Sequence, residues 1–347
     1  MNTIFHRMLA PVLSALALSA AFTTPAAAQQ APLKFKWGLP SADYYAVYVA
    51  REMGLFKEAG LDPEFFTFAS GAPLLAGLKS ESLDVITTGL ATVFALGQNI
   101  PLKMIYWELD HAAAEALVVD PKSGIKSIED LPKAKTIGAP SGTCAQVSIV
   151  LVAKKLKVKY NDLSIVNIAP PLYGNAFSSG AIQAGIAWSP YSSGLEAAGY
   201  KIANWATEYT PEGGVCPGMT AGRPSFLAKH PDVGLKLVQV KAKAMEMIAK
   251  NPQLGVDALV KNVGVTREVA KAAFDREFSR IPTLQQQADP KSPFSMTAPG
   301  AGLAIKLKLA SEALAAGGSI PAPLSDKVIA DAIDASYIQR YLKGERK

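Results

Sequence analysis

Leu83-Asp84-Val85-Ile86-Thr87-Thr88-Gly89-Leu90-Ala91-Thr92 holds a short β-type run, a glycine turn and the first residues of a helix. Upstream, Pro63 to Phe68 reads as a strand, and Ser70-Gly71-Ala72-Pro73 opens a helix through Leu78 and Lys79. Before that, Leu33 to Trp37 alternates in strand fashion. Gly38 to Asp43 breaks the strand, Tyr44 to Lys57 carries apolar residues at helical spacing, and Gly60 stops the helix. Strand, turn and helix thus recur three times between residues 33 and 96. That alternation specifies a parallel or mostly parallel sheet flanked by helices.

The rhythm restarts downstream. Strands are expected at 117–119, 135–139, 163–168 and 183–188, with helices from Thr143 to Leu156 and from Tyr173 to Ser179. Beyond about residue 220 the pattern turns helical: 224–250, 254–263, 267–278, 301–316 and 326–342. The expected fold class is α/β with two lobes. The first takes residues 29–116 and 218–347, the second takes 117–217, and the chain crosses near 113–117 and 215–221. Two consecutive independent domains are the alternative arrangement.

The N-terminal residues carry a different message. Arg7 precedes an apolar run from Met8 to Ala21, and Ala26-Ala27-Ala28 places small residues before Gln29. This order describes a secretory signal peptide, residues 1–28, cleaved after Ala28, which would put the mature chain in the periplasm. An uncleaved anchor is the alternative, but the run falls short of the ~20 residues that span a bilayer. No Cys follows the cleavage site to carry a lipid.

The chain has 347 residues and a formal net charge of +6, spread without a block of like charges. That spread argues against a nucleic-acid partner and mildly favours anionic ligands. No later segment reaches membrane-spanning length without a charge or a breaker. Catalytic and metal-ligating candidates are scarce. His111 and His230 are the histidines beyond the leader, and the sequence holds two cysteines, Cys144 and Cys216. No H-E-x-x-H, C-x-x-C, Walker or G-x-S-x-G pattern occurs. Glu108, Asp110 and His111 do not match metal-ligand spacing, so no metal and no cofactor are expected. For the cysteines, a disulfide, inert buried thiols and a helix-start nucleophile at Cys144 all stay open.

Three small-residue turns suggest a ligand cradle instead: Ser70-Gly71-Ala72, Thr88-Gly89-Leu90-Ala91 and Ser141-Gly142-Thr143. Each stands at a strand's carboxyl end, where open α/β sheets bind ligands, and a helix start offers backbone N–H groups to an anion. Aromatic residues Tyr44, Tyr45, Trp107, Trp188 and Tyr191 fall at similar positions. Core packing is the default for them, with Trp188 the best candidate for a pocket.

Several segments together resemble the solute-binding proteins of ABC importers for sulfonates, taurine and nitrate. They include Gly54-Leu55-Phe56-Lys57-Glu58-Ala59-Gly60-Leu61, Glu115-Ala116-Leu117-Val118-Val119, Ile165 to Pro171, Trp188-Ser189-Pro190-Tyr191 and His230-Pro231-Asp232-Val233. Thr283-Leu284-Gln285-Gln286-Gln287 extends the likeness toward the C-terminus, and the taurine-binding branch is nearest. The resemblance implies a type II periplasmic binding protein fold, with two lobes closing on a small organic anion across a two-crossing hinge. It also implies delivery to an ABC permease in the inner membrane, a monomer, and no enzymatic turnover. Carried over by position, Ser41, Ser70, Gly71, Ala72, Gly89, Ala91 and Glu115 line the first lobe or hinge. Thr143 and Cys144 start the second-lobe helix, Trp188 walls the pocket, and Tyr44 and Tyr191 suit it.

Departures from that branch bear on the ligand. Pro40 replaces a Gln, Gly218 an Asp that would hold an ammonium, and Cys144 a Thr. An ammonium without its buried carboxylate is costly, so a larger or less polar anion than taurine is expected. The competing readings are an exported ligand sensor and an enzyme on the same fold using Cys144 with His111 or Glu115 as base.

Overall fold

The computed structural model describes Met1, residues 31–209 and residues 214–345. The signal-peptide reading therefore lies outside the described residues. From Pro32 onward the chain forms two five-stranded sheets.

The first sheet runs β2-β1-β3-β10-β4. Its strands are β1 (Leu33–Pro40), β2 (Leu61–Phe68), β3 (Val85–Thr88), β4 (Lys103–Asp110) and β10 (Pro217–Gly222). β1 pairs in parallel with β2 and β3, while β10 is antiparallel to both β3 and β4. The second sheet runs β7-β6-β8-β5-β9, with β5 (Ala116–Val119), β6 (Ile137–Gly138), β7 (Ile165–Val166), β8 (Ala184–Ala187) and β9 (Lys201–Trp205). β6 is parallel to β7 and β8, and β5 is antiparallel to β8 and β9.

Both sheets share one plan: four strands in one sense and a reversed strand in the fourth place. In each sheet that strand lies next to a crossing. The chain leaves β4 at Asp110 and enters the second sheet at Ala116, then leaves β9 at Trp205 and re-enters the first at Pro217. Ala116 pairs with Ala187 and Trp205, and Pro217 pairs with Asp110. Each sits one residue across the boundary that the sequence suggests. β4, β9 and β10 are absent from the sequence reading. Met104 to Trp107 is an apolar, β-branched and aromatic run, the pattern of a strand buried on both faces.

The helices cover the sheets: α1 (Tyr45–Glu52), α2 (Leu55–Glu58), α3 (Pro73–Lys79), α4 (Ala91–Gly97), α5 (Cys144–Leu156), α6 (Tyr173–Ser178) and α7 (Tyr191–Ala197). The C-terminal half adds α8 (Pro224–Lys229), α9 (Val233–Lys250), α10 (Gln253–Val263), α11 (Arg267–Glu277) and α12 (Leu284–Ala288). It ends with α13 (Gly302–Ala316), α14 (Asp326–Ala332) and α15 (Ser336–Leu342). The expected helix 44–57 is broken at Gly54, whose φ of +71° few other residues adopt. Pro231 ends the expected 224–250 helix early, because the residue before a proline avoids helical backbone.

α9 buries Leu237, Val240, Lys241, Ala244 and Ile248 against the first sheet. Lys241 is fully buried there and pairs with Glu108 of β4. Thr220 donates to the same Glu108 oxygen at 2.5 Å, Thr87 bonds Thr220 at 2.5 Å, and Trp37 Nε1 donates to Thr87 at 3.0 Å. Lys241 also stands 5.2 Å from the Trp37 ring centre and 5.1 Å from that of Tyr106. A buried charge pair survives when its remaining groups are satisfied in this way. Among the described residues no helix is long and apolar enough to cross a membrane.

Candidate ligand-binding site

A narrow cavity of about 30 Å³ lies between the two sheets. Four strand ends of the first sheet reach it. Pro40 closes β1, Gly71 follows β2, Thr88 closes β3, and His111 follows β4. The second sheet contributes Thr143 and Cys144 at the start of α5, and Trp188 just past β8. The cavity therefore sits at the carboxyl ends of parallel strands from both sheets, the position that sheet topology favours for ligands.

Of the residues nominated from sequence, Tyr44, Gly71, Gly89, Ala91, Thr143, Cys144 and Trp188 line this cavity. Ser41, Ser70, Ala72, Glu115 and Tyr191 do not. Three residues at its edge join the two sheets instead. Ser41 accepts a hydrogen bond from the Tyr191 hydroxyl at 2.6 Å, and its carbonyl accepts one from Trp188 Nε1 at 3.4 Å. Ala72 packs against Gly142 of the opposite side. Tyr45 turns away to donate to Glu277 at 3.1 Å, and Trp107 is a core residue packed on Phe294.

The turns offer fewer side-chain donors than their composition suggests. Thr143 donates to Pro140 at 2.7 Å rather than capping α5, and Thr92 donates to Gly89 at 3.1 Å. Gly142 N–H donates to Gln146, and Ser141 N–H to Asn167. The first amides of α5, at Cys144 and Ala145, have no intrahelical acceptor. The wall is thus mainly backbone and apolar surface, with no lysine or arginine in it among the described residues.

Cys144 and Cys216 form a disulfide, with Cα atoms 5.4 Å apart. It ties the α5 start to the segment that enters β10, and both residues line the cavity. Gly89 lies against it; a Cβ there would meet Cys144 Sγ at 2.8 Å, so a side chain at this turn would push the bridge aside. In the disulfide, Cys144 carries no thiolate to act as a nucleophile. Glu115 lies behind the bridge, its carboxylate within 4.8 Å of both sulfurs. Burial raises its carboxyl to about 7, against the opposing hydrogen bond from Ser148 and charge of His111.

His111 is the residue that sequence reasoning undervalued. Its ring lines the cavity and meets the Tyr44 ring edge-on at 5.6 Å. Its partners are distant in sequence. Nδ1 lies 3.0 Å from Asp43 Oδ1 and 3.9 Å from Glu277 Oε1. All three residues are buried. Asp43 thus lies between the imidazole and the Glu277 carboxyl, so the three groups share their protons. Burial pushes the histidine toward neutrality, but the Asp43 charge outweighs it and raises the His111 pKa. Burial and the same Asp43 charge hold Glu277 well above the usual carboxyl range. Burial also opposes ionisation of Asp43, yet His111 and its other contacts leave it below its ordinary value. The preferred state is an ionised Asp43, a charged His111 and a protonated Glu277. A Cβ at Gly218 would fall 2.6 Å from His111 Nε2, so the imidazole occupies the space an aspartate would need there.

Comparison with known proteins settles the family. Residues 41–254 match the NMT1/THI5-like family. The chain belongs to it. It is 30% identical over 207 residues to the "Putative aliphatic sulfonates-binding protein" of Bacillus subtilis (strain 168), covering 57% of this chain and 60% of that one. It is 27% identical over 199 residues to the taurine-binding periplasmic protein of Escherichia coli (strain K12), covering 57% and 61%. In structure it is similar to the alkanesulfonate-binding protein SsuA from Xanthomonas axonopodis pv. citri bound to MOPS. There the TM-score is 0.70 at 17% identity, over 88% of this chain and 99% of that one. The α/β periplasmic binding protein fold expected from the sequence is the fold observed.

Proposed function

We propose that this family member is the substrate-binding component of an ABC importer, which captures a small organic anion between its two sheets and hands it on unaltered. The observation that carries this reading is the cavity at the carboxyl ends of parallel strands from both sheets, in a chain whose relatives include sulfonate- and taurine-binding proteins. Residues 29–116 with 218–347, and residues 117–217, act as two lobes that close on the ligand. Closure favoured by the ligand then follows from its higher affinity for the closed form. The protein works in the periplasm as a monomer after loss of residues 1–28, and its macromolecular partner is an inner-membrane permease. With both sulfurs held in a disulfide Cys144 offers no thiolate, which supports binding rather than turnover.

The largely apolar wall and the histidine at the Gly218 position favour an alkyl or aromatic sulfonate or carboxylate over taurine. A thermal-unfolding screen against taurine, alkyl and aromatic sulfonates, carboxylates and nitrate tests this. A ligand at a hundred times its Kd adds about 2.7 kcal/mol of stability. Trp188→Ala is expected to weaken binding at least tenfold with a smaller effect on unfolding. Preference for taurine over uncharged-tail sulfonates would overturn the ligand class, and no response to any anion would overturn the reading itself.

A further inference from the structure

Among the described residues, the wall of the cavity contains one side chain able to carry a positive charge near neutral pH, His111. Behind it stand two buried carboxylates that face no lysine or arginine of their own. The trio's polar atoms face one another, Asp43 lying between His111 Nδ1 and the Glu277 carboxyl, and all three residues are buried. The charges facing His111 from the surrounding elements are accounted for elsewhere. Asp110, its neighbour in the chain, pairs with Arg280 at 2.9 Å and Lys306 at 3.4 Å. Glu115 takes the Ser148 hydroxyl. Glu208, on the turn packed nearby, bonds Asn204, and Arg276 of α11 stacks on Trp205 at 3.8 Å. β10 brings no titratable side chain. The protons of the trio therefore belong to Asp43, His111 and Glu277 themselves.

We infer that His111, held as an imidazolium by Asp43 and a protonated Glu277, is the counter-charge that selects a singly charged anion, so that anion binding is coupled to a proton. This deepens the anion-capture reading and rests on it. With His111 charged, the trio is electrically neutral and presents a cation at the cavity. When His111 loses its proton, the trio carries a net negative charge beside the same cavity and repels the ligand. The sign follows directly: affinity is full below the raised His111 pKa and falls as pH rises through it. With one proton linked to each anion, the loss approaches tenfold per pH unit. An ammonium-bearing ligand would meet the imidazolium where it needs a carboxylate.

The test uses butanesulfonate and benzenesulfonate, whose acid groups do not titrate between pH 5 and 9, so that any pH dependence belongs to the protein. Calorimetric titration of the folded wild type is expected to show affinity falling toward tenfold per unit at the alkaline end. Repeating it in buffers of different ionisation enthalpy is expected to count close to one proton taken up per anion there. His111→Gln should bind at least tenfold more weakly at pH 6 and show a flat profile. Equal wild-type affinity at pH 6 and pH 9, or an unchanged slope in His111→Gln, overturns this assignment while leaving anion capture intact. Should His111→Gln fail to fold, Glu115→Gln decides: it removes the other group that titrates near 7 beside the cavity, and the slope and proton count should persist in it, whereas their loss there overturns the assignment. Binding of no sulfonate at any pH overturns anion capture, and this inference with it.

Discussion

Glu108 and Asp43 are both buried carboxylates in the first sheet's surroundings, and each faces a cationic side chain. Their networks differ in completeness. Glu108 receives Lys241 and Thr220, and the donors run in one direction from Trp37 through Thr87 and Thr220 to the carboxylate. Asp43 has His111 Nδ1 at 3.0 Å and the Glu277 carboxyl beside it, and among the described residues no chain of hydroxyl donors backs the group. The first network lies beneath α9, away from the cavity, and the second touches the cavity wall through His111. Full satisfaction marks a group that holds the fold together. A trio that shares its protons beside a cavity is a group whose charge an incoming ligand can change.

The largest effect separating the two is expected at Lys241. Lys241→Met strands the Glu108 charge in the interior, and equilibrium denaturant unfolding should show a loss of about 3–5 kcal/mol. Adding Glu108→Gln removes the stranded charge, and the double variant should be more stable than Lys241→Met alone, a non-additive result that contacts of this kind produce. An additive outcome would mean that the pair is not the working unit.

Glu115 gives the next effect, and its sign depends on pH. Its carboxyl is raised by burial to about 7, so the folded state holds a proton that the unfolded chain releases near 4.5. The contribution to stability is full below the unfolded value and declines as pH rises to about 7. At 1.36 kcal/mol per unit the decline amounts to roughly 3 kcal/mol. Glu115→Gln keeps an acceptor for Ser148 and removes the titration. Relative to wild type it should gain up to that amount at pH 8 compared with pH 4, measured by denaturant midpoints. A constant difference between the two proteins across this range would contradict the buried, protonated state.

The smallest effect belongs to Glu277. Its carboxyl is already neutral in the preferred state, so Glu277→Gln disturbs one hydrogen bond from Tyr45 and should change stability by about 1 kcal/mol. A loss comparable with that of Lys241→Met would show that Glu277 is ionised, and would erase the contrast between the networks.

The strand–turn–helix repeats read well from sequence because each depends on residues adjacent in the chain. Gly89 illustrates this: a strand, a glycine and a helix start stand side by side in the text and in space. The cavity's small-residue turns follow from the same local logic, and Gly71, Ala91, Thr143 and Trp188 fall where that logic puts them. Other nominations moved once side chains could be placed. Ser41 and Tyr191 are spent on each other, and Tyr45 and Trp107 on the core. β4 was legible as a buried apolar run, and it is this strand that carries His111, named from sequence only as a possible metal ligand or base, to the cavity. The link from His111 to Asp43 and Glu277 was not legible, since it joins residues separated by most of the chain.

Residue order alone determined the alternation of strands and helices, the small turns at the strand ends and the family likeness, because these are set by spacing along the backbone. Tertiary structure alone decided that Cys144 bonds Cys216, that the threonine hydroxyls turn inward, and that one histidine shares its protons with two carboxylates. Those outcomes depend on distances of a few ångströms between distant segments and on the loss of water around them, and neither quantity is written in a local pattern.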